Sequence, residues 1–203
     1  MKKLILTSAG LSNKTIINKF YEILDKQISE VKVLFIPTAA RCQEELGYAK
    51  KSKLELIDLG IDEGNIIEYN LDIDISFMEL NEYDILYVCG GNTFYLLHKI
   101  REMKFDEKIR NAVESGLIYI GVSAGSIVAG PTIETALPFD ENDIGIENFK
   151  GMNFIHDIII PHYNEKRAKI VDGFRKTMKN NIITITDNQA LFVYEDNCQI
   201  IGE

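Results

Sequence analysis

Leu117-Ile118-Tyr119-Ile120-Gly121-Val122 is an unbroken apolar run that stops at Ser123-Ala124-Gly125. Short apolar runs rich in β-branched and aromatic residues, closed by small residues, read as buried strands. The Ala/Ile/Val-rich segment that follows makes this a strand-to-helix connection. The same alternation recurs outward in both directions. Upstream, β-rich runs at 3–8, 32–37, 65–69 and 84–89 are separated by helically spaced stretches at 13–30, 44–59, 93–101 and 105–115. Ser12 is the expected N-cap of the first helix, and Gly60 suits a left-handed position at the end of the second. Downstream come a strand at 158–161, a helix at 166–179, and β-rich runs at 182–186, 190–194 and 199–201. The last two are spaced as a hairpin joined by Glu195-Asp196-Asn197. Strands that are apolar throughout, alternating with helices, predict an α/β fold: a mostly parallel sheet covered on both faces. Residues 135–151 are rich in Asp, Glu and Asn, lack periodicity and read as a long loop of the kind that carries function.

The turn itself, Gly121-Val122-Ser123-Ala124-Gly125, has the Gly-x-Ser-x-Gly spacing. A connection this sharp strains its central residue and pushes the side chain out at the C-terminal edge of the sheet, where it can act as a nucleophile. An ordinary glycine-rich turn would have the same spacing, so the motif needs partners. A serine nucleophile needs a base, and the chain has three histidines. His162 follows Ile158-Ile159-Ile160-Pro161 and stands where a buried strand ends. Ligands of open parallel sheets bind at that edge, so Ser123 and His162 meet there if their strands are neighbours. His162 is favoured, followed by His156 and then His98. The acid that orients the histidine is sought in the intervening loop, among Glu134, Asp140, Glu141 and Asp143. Gly90-Gly91-Asn92-Thr93-Phe94 ends another strand, and the N–H groups of Gly91 and Ala124 are candidates for an oxyanion hole. Neither glycine turn is followed by Lys-Ser or Lys-Thr, so a phosphate loop is not supported.

Bulk properties narrow the field. The chain has 203 residues, 46% hydrophobic and 26% charged, with a net charge of −9. Its length suits one domain, and its acidity disfavours nucleic acid. Lys166, Arg167 and Lys169 form the best local basic patch. The chain's start lacks the apolar stretch of a signal peptide, and no run has the length of a membrane span. Cys42, Cys89 and Cys198 are widely spaced, which argues against a disulfide framework or a zinc site. A cytoplasmic protein is expected.

Gly90-Gly91-Asn92-Thr93-Phe94, the turn around Ser123, Pro131-Thr132-Ile133 and Pro161-His162, in this order, resemble peptidase family S51, the dipeptidase E (aspartyl dipeptidase) group related to cyanophycinases. The resemblance covers most of the chain. It implies a class I glutamine amidotransferase-like three-layer α/β sandwich, with residues 1–203 as a single catalytic domain. It places the nucleophile at Ser123, the base at His162 and the oxyanion glycine at Gly91. It also implies hydrolysis of dipeptides with an N-terminal aspartate, whose side chain an arginine beyond the histidine recognises; Arg167 is the matching position. Cys89 stands where some members have a third glycine. The acid aligns at Pro138 counting from Ser123 and at Asp140 counting back from His162, so Asp140 is the choice, with Glu141 and Glu134 behind it. The expected partner is a small peptide, with no metal, organic cofactor, nucleic acid or membrane; a homodimer is allowed. The rival readings are another serine acyl hydrolase, such as an esterase, and a non-catalytic ligand-binding protein on the same fold.

Overall fold

The apolar run that ends at Ser123 is strand β5 (Ile118–Val122), buried at every position and central in a seven-stranded sheet. The structure is a computed structural model that describes residues 2–72, 79–195 and 197–203. Met1 and Asp196, the middle of the expected hairpin turn, lie outside the described residues. Strands β1 (Lys3–Thr7), β2 (Val33–Ile36), β3 (Ile66–Glu68) and β4 (Ile85–Val88) join β5 in parallel pairings. A hairpin of β8 (Gln189–Tyr194) and β9 (Asn197–Gly202) completes the sheet, with β8 antiparallel to β1. The order is β3-β2-β4-β5-β1-β8-β9.

Alternation along each strand builds two cores. Leu4, Leu6, Leu86, Val88 and Tyr119 pack with helices α3 (Thr93–Glu102), α4 (Phe105–Glu114) and α5 (Ala124–Ala129). Ile5, Tyr87, Ile118 and Ile120 pack with α1 (Lys14–Glu22) and α2 (Gln43–Asp58) on the other face. Period-2 side-chain placement on strands buried on both faces therefore gives the α/β/α sandwich. Register levels the strand ends: Thr7 pairs with Val122, Val88 with Gly121 and Ile36 with Val88. The segments that follow β1, β4 and β5 thus emerge side by side at the C-terminal edge.

Two elements differ from the expectation. The helix at 13–30 stops at Glu22, and only a 3-10 turn follows at Ile28–Glu30. The nearly buried Lys3 donates to the Ile23 carbonyl (3.1 Å) and pairs with Asp25 (2.5 Å), which satisfies a helix-end acceptor and pins the chain there. The N-cap is Asn13 rather than Ser12, its side chain accepting from the Thr15 N–H. The second difference bears on function. Strand β6 (Ile158–Ile160) does not enter the main sheet; it pairs in parallel with β7 (Ile182–Thr184) across α6 (Ala168–Thr177). Val171 packs on Ile158, Ile160 and Ile182 to give this small unit its own core. Among the described residues no helix is long and apolar enough to cross a membrane.

Candidate active site

Ser123 has φ 48° and ψ −108°, in a region that costs a non-glycine residue on the order of 1–3 kcal/mol. Its surroundings hold it there. The Ser123 N–H donates to the Thr7 carbonyl at 3.0 Å. The buried Ser126 hydroxyl lies 2.7 Å from the Thr7 carbonyl and 2.8 Å from that of Gly121, and the Tyr119 hydroxyl donates to the Gly125 carbonyl at 2.7 Å. The flanking glycines are steric requirements: a Cβ on Gly121 would sit 2.5 Å from the Gly125 oxygen, and one on Gly125 2.3 Å from the Val88 oxygen. Strand, turn and helix can approach this closely only without those side chains.

His162 reaches Ser123 although their strands are not neighbours. It follows β6 and Pro161 and adopts a left-handed φ of 56°. Its Nε2 lies 2.9 Å from Ser123 Oγ, and its Nδ1 lies 2.6 Å from an Asp187 carboxylate oxygen. The parallel pairing of β6 with β7 explains the second contact. It continues beyond the strands through Ile185 N–H to the Ile160 carbonyl (3.1 Å) and Tyr163 N–H to the Ile185 carbonyl (3.0 Å). The two strand ends are thereby kept together, which brings Asp187 beside His162. Ser8, just past β1, donates to the same Asp187 oxygen at 2.7 Å and accepts the His162 backbone N–H at 2.8 Å. Burial pushes the Asp187 carboxyl up, but hydrogen bonds from Ser8 and His162 and the charges of His162 and Arg167 outweigh it. The carboxyl lies below its ordinary value.

The structure does not bring Asp140 to His162. Asp140 accepts the Thr93 N–H at 2.9 Å at the start of α3, while the Asn92 side chain holds the Glu141 carbonyl at 2.8 Å. A carboxylate near a helix N-terminus meets orphan N–H donors, and among the described residues the imidazole's hydrogen bonds go to Ser123, Ser8 and Asp187, not to Asp140. Asp143 forms a two-pronged pair with Arg41 at 2.9 and 2.6 Å, and the Glu134 and Glu141 side chains are exposed. His98 lies within α3, and exposed His156 offers its carbonyl to Asn180. Asp187 lies beyond His162 in the chain, outside the loop between serine and histidine where the orienting acid is expected. Its signal was available: it follows the β-rich run at 182–186 as His162 follows its own.

A cavity of about 480 Å³ opens beside Ser123 and His162, within the size range of small-molecule sites. Gly91 borders it at φ 135°, where a Cβ would sit 2.0 Å from the Ala39 oxygen. Among the described residues no hydrogen bond engages the N–H of Gly91 or of Ala124. Arg167 also lines the cavity. Its guanidinium lies 4.1 Å from the Phe139 ring centre and donates to the Pro161 carbonyl at 3.1 Å. Burial pulls its pKa down against the pull of Asp187 and Asp140, yet a guanidinium remains charged at any working pH. No carboxylate among the described residues forms a salt bridge with it. Cys89, also on the cavity wall, is buried, and burial pushes its thiol well up.

Known proteins are similar to this chain along most of its length. A sequence model of peptidase family S51 matches residues 4–201. An uncharacterized peptidase of Listeria monocytogenes is 32% identical, covering 95% of both chains. Peptidase E of a Nostoc species is 35% identical over 80% of this chain and 66% of its own. A crystal structure from Listeria monocytogenes EGD-e, provisionally named peptidase E, superposes with a TM-score of 0.86 at 26% identity, covering 100% of this chain and 99% of that one. That superposition places the sandwich among glutamine amidotransferase-like folds. With a match running from β1 into the last strand, the chain belongs to peptidase family S51.

Proposed function

We propose that this peptidase is of the serine type and hydrolyses short peptides, with Ser123 as nucleophile, His162 as general base and acid, and Asp187 as the residue that orients His162. The observation that carries the reading is the continuous path from Ser123 Oγ to His162 Nε2 at 2.9 Å and from His162 Nδ1 to Asp187 at 2.6 Å. Asp187 fixes the tautomer with the proton on Nδ1, which leaves Nε2 free to accept. As Ser123 Oγ bonds to the scissile carbonyl carbon, its proton passes to Nε2. The imidazolium then gives that proton to the departing amine as the C–N bond breaks. Water, deprotonated by the same nitrogen, then bonds to the acyl carbon, and the imidazolium returns the proton to Ser123 Oγ as the C–Oγ bond breaks, which releases the acid and regenerates Ser123. The N–H groups of Gly91 and Ala124, unengaged among the described residues, supply donors for the oxygen of the tetrahedral intermediate.

The substrate reading rests on Arg167. Its fork, held against Phe139 and open to the cavity, suits bidentate binding of a carboxylate. This supports the N-terminal aspartate of a dipeptide as the acyl residue. A panel of acidic and neutral dipeptides and simple esters tests the function, with Ser123→Ala as control. Acidic dipeptides should be turned over best, and the variant should lose on the order of 10⁶-fold in kcat while its melting temperature holds. A Ser123→Ala protein with wild-type turnover would overturn the assignment.

A further inference from the structure

We propose that Ser8 is a positioning residue of the Ser123–His162–Asp187 site, its hydroxyl setting both the place of His162 and the charge that Asp187 presents to it. The inference rests on the proposed serine-peptidase reading. Ser8 is fully buried just past β1, so its hydroxyl must find partners within the protein. The directions of its bonds follow from chemistry. The His162 backbone N–H, 2.8 Å away, can only donate, so Ser8 Oγ accepts there. The ionised Asp187 oxygen, 2.7 Å away, can only accept, so the single hydroxyl proton goes to it. His162 Nδ1, 3.2 Å from Ser8 Oγ, directs its own proton to the same Asp187 oxygen.

Two consequences follow. Ser8 anchors His162 in its left-handed backbone conformation. It also draws charge from the oxygen that faces the imidazole, which moderates how strongly Asp187 favours the imidazolium. The neighbouring Thr7 carbonyl holds the Ser123 N–H at 3.0 Å, so residues 7 and 8 tether the two halves of the site to one strand end. Other charged groups around the cavity are Arg167 at the start of α6, Asp140 of the long loop, and Glu45, Lys51 and Glu55 of α2. None of them is hydrogen-bonded to Ser8, whose side-chain partners are His162 and Asp187.

The test compares the unaltered protein with Ser8→Ala, Ser8→Thr and Ser8→Cys. One readout is the pH profile of Asp-Leu hydrolysis; the other is the titration of His162 followed by NMR of ¹⁵N-labelled histidine. Ser8→Ala should lower kcat about 10- to 100-fold with little change in KM, as expected for losing a hydrogen bond to a charged group. Its acidic limb and its imidazole titration should both move to higher pH, because Asp187 then faces the ring with its full charge. Ser8→Thr, which keeps the hydroxyl, should restore both. If Ser8→Ala does not fold, Ser8→Cys, with its weak donor, should show the same shifts. A purely structural Ser8 would lower the rate equally at every pH and leave the titration unmoved, which would overturn the proposal. The two readings fail separately: absent peptide hydrolysis sinks the serine-peptidase function, whereas the NMR titration still decides the coupling of Ser8 to His162.

Discussion

Between Gly121 and Gly125 the backbone has almost no freedom, whereas around His162 and Asp187 the site is put together from separate stretches of chain. The Ser123 turn is local: strand, turn and helix are contiguous, and missing Cβ atoms let them close on one another. The histidine and the carboxylate come from the ends of β6 and β7, a parallel pair outside the main sheet, and Ser8 ties them to β1. One half is specified by composition at fixed spacing, the other by which strands pair. The difference predicts that the first half is fragile to small steric changes and the second to changes of charge and hydrogen bonding.

Apart from loss of Ser123 itself, the largest expected effect breaks the second half. Asp187→Asn should lower kcat by about 10⁴-fold, because an amide favours the wrong imidazole tautomer. Asp140→Asn should stay within about tenfold, since an amide oxygen can still accept the Thr93 N–H. The reverse ranking would return the orienting role to the long loop. pH gives a second check. Asp187 has a lowered pKa, so it remains ionised below the ordinary carboxylate range, and its orienting effect is lost only as the pH falls through that lowered value. Activity on the unaltered protein's acidic side should therefore not be limited by Asp187 at the ordinary pKa of aspartate.

A single methyl group should break the first half. Gly125→Ala would place a Cβ 2.3 Å from the Val88 oxygen, in the backbone of a central strand that cannot yield. A loss of about 3 kcal/mol is expected in urea unfolding. Gly173→Ala is the control: it lies in α6 with nothing within 4 Å of the added Cβ, and it should stabilise by roughly 0.5–1 kcal/mol. Equal midpoints for the two variants would mean that the turn is not sterically locked.

The same contrast decides what could be read in advance. β1, β2, β4 and β5 were legible because strands buried on both faces are apolar throughout, and the Ser123 turn because its glycines have fixed positions. The approach of His162 to Ser123 was expected through adjacent strands, but it arises through a separate pair, since nothing in Ile158-Ile159-Ile160 says which edge it will meet. The acid was lost for a related reason. A loop rich in carboxylates offers many candidates, and only three-dimensional docking shows that Asp140 is occupied by Thr93 and Asp143 by Arg41. Ser8 carried no signal at all, being one small residue after an apolar strand.

The smallest expected effect sharpens the contrast by asking whether specificity also belongs to the second half. Arg167 directly precedes α6, close after His162, and its guanidinium is held by Phe139 and the Pro161 carbonyl rather than by a carboxylate. Removing it should therefore free no buried charge and should leave the path from Ser123 to Asp187 in place. For neutral dipeptides Arg167→Ala should be close to silent. For Asp-X dipeptides it should raise KM about 10- to 100-fold, the range for losing a charge-assisted hydrogen bond, with kcat less affected because the contact exists in both ground and transition states. Arg167→Lys should recover only part of this, since a point charge cannot replace a planar fork. Equal losses on acidic and neutral substrates would mean that Arg167 supports the cavity wall through Phe139 and does not read the substrate's side chain.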